Sequence, residues 1–417
     1  MPPTFPIRIL YYIQSLPPAR LTGSEKYVLE LSESMAPLVD RVDVVGTNKT
    51  GYYKFIKSGT STSNDVDFTR LNVNPIIESL LLFLRYLSNI NPKLFEPLYD
   101  WRDGFFHSIL RGGHYSRAFK TLDSSKRIDL IHGVAFPSFP LWSAWKLSVK
   151  YDIPLVITPF AHLAKPDDFN RPWILSAMQV ARSVIAVTNV EKKALVAQGI
   201  EPEKVSVIPL GIRISDWEVT NRFIARKFFG FMDDEIVILI PNKSAEKGCF
   251  DVLISLLALE VKTHRISVVL IGQSTLDDSK RLLKYYSRLK AKGIKIVDLG
   301  YVSGVLKLFA FKASDILAQP SSSDSFGFVY LEAWVCQVPV IGARAGAIPE
   351  VIREGRNGLL VESHNSEQLM ATIESLIIDE KLRSRMGHNG FIDVKENYRF
   401  EQMVTRVTEL YKTVIDG

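Results

Sequence analysis

Cysteine is scarce in this chain of 417 residues. The two present, Cys249 and Cys336, lie far apart and belong to no ligand-spaced cluster. That argues against a disulfide framework or a structural zinc site and fits a reducing compartment. Long apolar runs are lacking as well. The greasiest stretch, Leu80 to Leu87, is broken by Arg85 and is far shorter than the roughly 20 apolar residues that span a bilayer. The opening MPPTFPIRILYYIQ has no basic leader followed by a long apolar core and small-residue cleavage site, so it reads as a first strand rather than a secretory signal. There is no repeat of fixed period. Low complexity is confined to KSGTSTSND, Lys57 to Asp65, where a flexible loop is expected. The net charge of +6 favours anionic partners such as phosphates or acidic headgroups, but it is dispersed and matches no nucleic-acid module.

What is present is an ordinary globular composition, 47% hydrophobic and 23% charged, in a chain long enough for two domains. Short apolar runs alternate with amphipathic stretches almost from end to end, the pattern of buried parallel strands joined by covering helices. Strands are expected at Ile7 to Gln14, Val42 to Gly46, Asp129 to Val134, Pro154 to Thr158, Val184 to Thr188 and Val205 to Pro209. A second set is expected at Ile236 to Pro241, Ile266 to Gly272, Ile294 to Leu299, Asp315 to Gln319, Val338 to Gly342 and Gly358 to Val361. The fold class is therefore α/β, with two doubly wound, Rossmann-like domains facing a central cleft. The boundary is placed in Leu210 to Thr220, giving domains over 1–210 and 211–395, with 396–417 as a terminal helix packing back on the first.

One segment concentrates chemistry. Pro320 to Val361 reads PSSSDSFGFVYLEAWVCQVPVIGARAGAIPEVIREGRNGLLV, with Asp324 in a Ser-rich turn and Glu332 inside a helix expected to start near Phe326. Helix entrances favour anions, so the backbone amides of Ser325, Phe326, Gly327 and Phe328 are candidate ligand donors, and Gly327 would allow close approach. A carboxylate suits vicinal sugar hydroxyls because it accepts two charge-assisted hydrogen bonds. Taken alone, an N-cap aspartate and a solvated helix glutamate would explain both acids.

The whole segment resembles the signature of the large retaining glycosyltransferase family known as family 4. There two acids are separated by seven residues, with Phe-Gly after the first and Pro-Val-Ile on the next strand. Here the matching positions are Asp324, Phe326, Gly327, Glu332, Pro339, Val340 and Ile341, followed by Gly346, Pro349, Glu350, Asn357 and Gly358. The first acid departs from the pattern, being Asp rather than Glu. Upstream, ILIPNKSAEKGCFD resembles the family's Gly-Arg … Glu-Lys-Gly segment, whose cations bind the diphosphate. Lys247 matches the family lysine, and Lys243 is a substitute for the arginine.

The resemblance implies the GT-B architecture, an acceptor-side N-terminal domain and a nucleotide-sugar-binding C-terminal one. It implies retaining, metal-independent transfer of a hexose-type sugar from a GDP- or UDP-sugar, with no cofactor, to a glycan, lipid-linked or small-molecule hydroxyl. Catalytic roles are implied for His162, Asp324 and Lys247. Donor contacts are implied for Glu332, Lys243, residues 325–328, Gly23 in the first helix-entry loop, and Tyr301 and Val302 beside the base. His132, Asp167, Asp168 and Arg171 are acceptor candidates. Two other functions compete: a nucleotide-sugar-binding protein with little turnover, and a metal-dependent transferase using Asp65 and Asp67. Residues Ile76 to Arg127 combine apolar and basic residues, as stretches lying on anionic membranes do, although a pair of covering helices is the preferred reading. A cytoplasmic protein, peripheral on a membrane face if that stretch makes contact, is the expected setting.

Overall fold

The computed structural model describes residues 5–17, 23–47, 58–72, 75–99, 105, 108, 127–135, 137–163, 171–260 and 264–417. Asp167, Asp168, Arg102, Arg111, Arg117, Lys120 and Lys126 lie outside the described residues. Chain contacts divide the protein into two compact units, Met1–Ile208 with Val404–Gly417 and Pro209–Met403.

The first unit is built on eight strands: β1 (Phe5–Ser15), β2 (Val39–Thr47), β3 (Gly59–Ser63), β4 (Val66–Leu71), β5 (Leu130–Val134), β6 (Leu155–Thr158), β7 (Ser183–Ala186) and β8 (Val205–Val207). Their order is β3-β4-β2-β1-β5-β6-β7-β8, parallel throughout except where β3 pairs antiparallel with β4. The chain passes from β1 to β2 on one side and returns to β5 on the other, which makes the carboxyl ends of β1 and β5 a switch point. The expectation of a loop over Lys57 to Asp65 is wrong for most of its length. Asn64 and Asp65 have φ of 50° and 60°, the paired left-handed conformation of a type I′ turn, and they close the β3–β4 hairpin between Ser63 and Val66. Both strands then add to the sheet edge through β2.

The helix Phe400–Asp416 closes this unit with its last turns. Val407 and Tyr411 are buried, and the Tyr411 hydroxyl lies 2.5 Å from His132 Nδ1 and 3.1 Å from the Tyr11 hydroxyl.

The second unit carries β9 (Ile236–Ile240), β10 (Ile266–Leu270), β11 (Lys295–Asp298), β12 (Ile316–Ala318), β13 (Val340–Ala343) and β14 (Gly358–Val361), in the order β11-β10-β9-β12-β13-β14 and all parallel. This is the doubly wound dinucleotide-fold order, with its switch point between β9 and β12. Both strands are buried along their length, which is why they read as continuous apolar runs. Each sheet is thus one of the two expected α/β sheets.

Candidate active site

In the second unit the loops after β9 and β12 meet over that switch point. Lys247 follows β9, and its ammonium donates to Asp324 Oδ1 at 2.8 Å and to the Ser323 carbonyl at 2.5 Å. The Ser322 amide donates to the Glu246 carbonyl, joining the same two loops through their backbones. Gly248 makes this approach sterically feasible. Its φ is +77°, and a Cβ there would lie 2.6 Å from both the Pro320 carbonyl oxygen and Cγ. Asp324 is further held by Gln319, whose amide donates to Oδ2 at 3.2 Å, while the buried Tyr330 hydroxyl fixes the Gln319 carbonyl at 2.8 Å. The lysine and aspartate singled out from the sequence are therefore an ion pair, partly buried on both sides.

The entry to the next helix differs from the expectation. The helix is Phe328–Val335, starting two residues later than expected, with Gly327 as its left-handed cap at φ +86°. The space beside Gly327 is taken by Tyr330, whose ring would be 2.3 Å from an added Cβ. That glycine therefore seats an aromatic ring rather than leaving room on its Cβ side for a ligand. The Phe326 side chain is core, buried and edge-on to Tyr398. Among the described residues, the backbone amides of Ser325, Phe326 and Gly327 donate to no backbone carbonyl.

Glu332 sits in the second turn of this helix, buried, with Oε1 2.5 Å from Lys307 Nζ. Lys243, also buried, donates to Asp298 Oδ1 at 2.8 Å across the carboxyl ends of β9 and β11. Burial works against ionisation at Asp298, but hydrogen bonds from Lys243, the Gly300 amide and Tyr286 outweigh it and hold its carboxyl below the usual range. Just beyond lie Tyr301, exposed, and Val302, half-buried. Gln319, Asp298 and Lys307 were not singled out from sequence. Each is identified only by the partner it meets in the fold.

The first unit holds the remaining candidates. His162 lies four residues past β6, partly exposed, after Phe160 at φ +51°. Glu191, buried, accepts from the Ala161 amide at 2.6 Å and the Val187 amide at 2.7 Å, so one carboxylate pins the loop that leads into His162. Gly23 opens the helix Gly23–Met35. A small hollow lined by Ile13, Gln14, Ser24, Glu25, Val134, Ala135 and Ser138 marks the β1/β5 switch point. Arg171 caps the helix Pro172–Val180 without a side-chain capping bond.

His132 must be reassigned. It is fully buried, with Nδ1 on Tyr411 and Nε2 on Thr158 Oγ1 at 2.8 Å, and burial lowers its pKa to about 3. Both ring nitrogens serve the core, leaving none for an acceptor. Asp67 pairs with Arg41 at 2.6 Å and accepts from Thr62, and Asp65 is a turn residue. Among the described residues no group of three or more His, Cys, Asp or Glu could hold a metal ion, and no helix is long and apolar enough to cross a membrane.

Two family patterns divide the chain between them. Residues 221–392 match the family described as glycosyl transferases group 1, and residues 21–216 match glycosyltransferase family 4. The chain belongs to the family 4 glycosyltransferases. The Lys247–Asp324 pair, Lys243 and Glu332 fall inside the first match, and Gly23, His132 and His162 inside the second.

Among individual proteins, an uncharacterised glycosyltransferase of Methanocaldococcus jannaschii is 26% identical over 238 residues, 56% of this chain and 60% of that one. The D-inositol 3-phosphate glycosyltransferase of Streptomyces bingchenggensis is 27% identical over 247 residues, 57% of this chain and 54% of that one. The family 4 chain thus aligns with little more than half the length of these curated relatives. In fold, it is similar to Anabaena HepE, crystallised in complex with UDP-glucose, with a TM-score of 0.71 at 18% identity, covering 98% of this chain and 100% of that one. The architecture is that of the GT-B glycosyltransferases.

Proposed function

We propose that this chain transfers a hexose from a nucleotide diphosphate sugar, GDP- or UDP-linked, to a hydroxyl of a glycan, lipid-linked or small-molecule acceptor, with retention of anomeric configuration and without a metal. One observation carries the reading: Lys247 and Asp324, from loops 77 residues apart, are paired over the switch point of a nucleotide-fold sheet. In transfer, the anomeric carbon–oxygen bond to the diphosphate breaks, the acceptor oxygen bonds to that carbon on the same face, and the acceptor proton passes to a diphosphate oxygen. The chain's task is to stabilise the departing negative charge with fixed cations and amides. Lys247 serves the diphosphate, supported by Lys243 and the amides of 325–327. Asp324 serves hydroxyls of the transferred sugar, Glu332 the ribose, and Tyr301 with Val302 the base.

His162 is assigned to a hydroxyl of the donor sugar, and Gly23 to a backbone contact with the donor. Arg171 is proposed to face the acceptor, as are Asp167 and Asp168. UDP-glucose bound by HepE supports a nucleotide sugar as donor. The proposed setting is the cytoplasm, with the helices Pro75–Ile90 and Pro92–Tyr99, which expose Leu80, Phe83, Ile90 and Leu94, available for peripheral membrane contact. The test is a screen of UDP- and GDP-sugars for binding and for product in the presence of chelator. Lys247→Ala should lower donor turnover about a hundredfold, the scale of losing one charge stabiliser. Unchanged turnover in both Lys247→Ala and Glu332→Ala rejects the site, and binding without product for every acceptor favours a binding protein.

A further inference from the structure

Lys307 stands outside every motif discussed above. It lies in the helix Gly304–Ala313, which leads into β12, whereas its partner Glu332 lies in the helix Phe328–Val335, which leads out of it. Their contact, 2.5 Å from Nζ to Oε1, joins two helices on opposite sides of one strand in sequence. The Glu332 side chain is 1% exposed and that of Lys307 27%. Removing one member of so enclosed a pair leaves the other uncompensated. The ammonium is also steadied one turn along its own helix, 5.6 Å from the centre of the Phe311 ring.

We propose that Lys307 is a positioning residue for nucleoside recognition: its ammonium fixes the orientation of the Glu332 carboxylate, so that the carboxylate accepts hydrogen bonds from ribose hydroxyls. This rests on the assignment of Glu332 to the ribose. The helix that carries Lys307 begins directly after Tyr301, Val302 and Ser303, so the ion pair ties the ribose carboxylate to the segment proposed to flank the base. A carboxylate accepting from hydroxyls makes charge-assisted bonds, and loses them when turned away.

The experiment is a calorimetric comparison of a ribonucleoside diphosphate with its 2′,3′-dideoxy counterpart, using UDP or GDP according to which the native chain binds more tightly. Lys307→Met should weaken the ribonucleotide about tenfold and the dideoxy compound less than twofold, collapsing the preference. Lys307→Arg, which keeps the charge, should retain most of it. Equal weakening of both ligands, or no weakening of either, overturns the inference, because a structural lysine would not distinguish them. Loss of the preference in Lys307→Arg to the same extent as in Lys307→Met also counts against the ion pair. Should Lys307→Met fail to fold, Lys307→Gln takes its place with the same expectations. Glu332→Gln separates the two levels. If the native preference survives that substitution, the ribose assignment itself fails; if it vanishes there but persists in Lys307→Met, only the role of Lys307 is lost.

Discussion

At the scale of single residues, the pairing of the Lys247 and Asp324 loops depends on close backbone approach as much as on charge. Gly248 sits where a Cβ would enter Pro320 and where φ is in the left-handed region. Gly248→Ala should therefore lower stability by about 1–3 kcal/mol, read as a shift in the urea midpoint, and should weaken nucleotide binding as the Lys247 loop moves away from Asp324. A stability within about 0.5 kcal/mol of native, the scale of surface substitutions, would show that the loops tolerate separation. His132 makes a different prediction. The unfolded chain takes up a proton near the ordinary 6.5, whereas the folded one does not until about 3, because burial disfavours the imidazolium. In that window the unfolded state binds more protons, so the stability supplied by the neutral ring is complete above pH 6.5 and is lost as pH falls toward 3. Native protein should lose up to about 1.4 kcal/mol per pH unit more than His132→Gln between those limits, measured by denaturant unfolding across pH.

At the scale of elements, the β3–β4 hairpin shows how turn chemistry hides in a polar run. Ser, Thr and Gly dominate KSGTSTSND, and the strand Gly59–Ser63 is exposed along its length, so no apolar alternation announces it. The signal was Asn64-Asp65 flanked by residues that pair across it, a turn dipeptide accepted only because both residues tolerate positive φ. Asp65→Gly should keep or raise stability, by up to about 1 kcal/mol, since glycine adopts that conformation without strain. Sugar transfer by this variant should be unchanged and insensitive to chelator. A loss of transfer on removing Asp65 would revive the metal-dependent reading.

At the scale of the whole chain, the first unit is completed by residues from the far end of the sequence. Tyr411 is fully buried against Tyr11 and His132, some 400 and 279 residues away along the chain. Tyr411→Ala should cost about 3–5 kcal/mol, as truncation of a buried aromatic does. Hydrogen exchange should localise the loss to β1 and β5, with β9 to β14 retaining native protection. Uniform loss over both sheets would mean that the two units unfold as one.

The sequence by itself determined the α/β class, the strands buried on both faces, and the loop motif bearing Lys247, Asp324 and Glu332. Buried parallel strands leave an unbroken apolar run, and a ligand-binding loop keeps its residue types at short spacing. Only the tertiary structure decided which charges meet. It gave Lys247 to Asp324, Lys243 to Asp298 and Lys307 to Glu332, and it withdrew His132 into the core. Such pairings join segments separated by 25 to 279 residues, so they follow from strand order and packing rather than from local sequence.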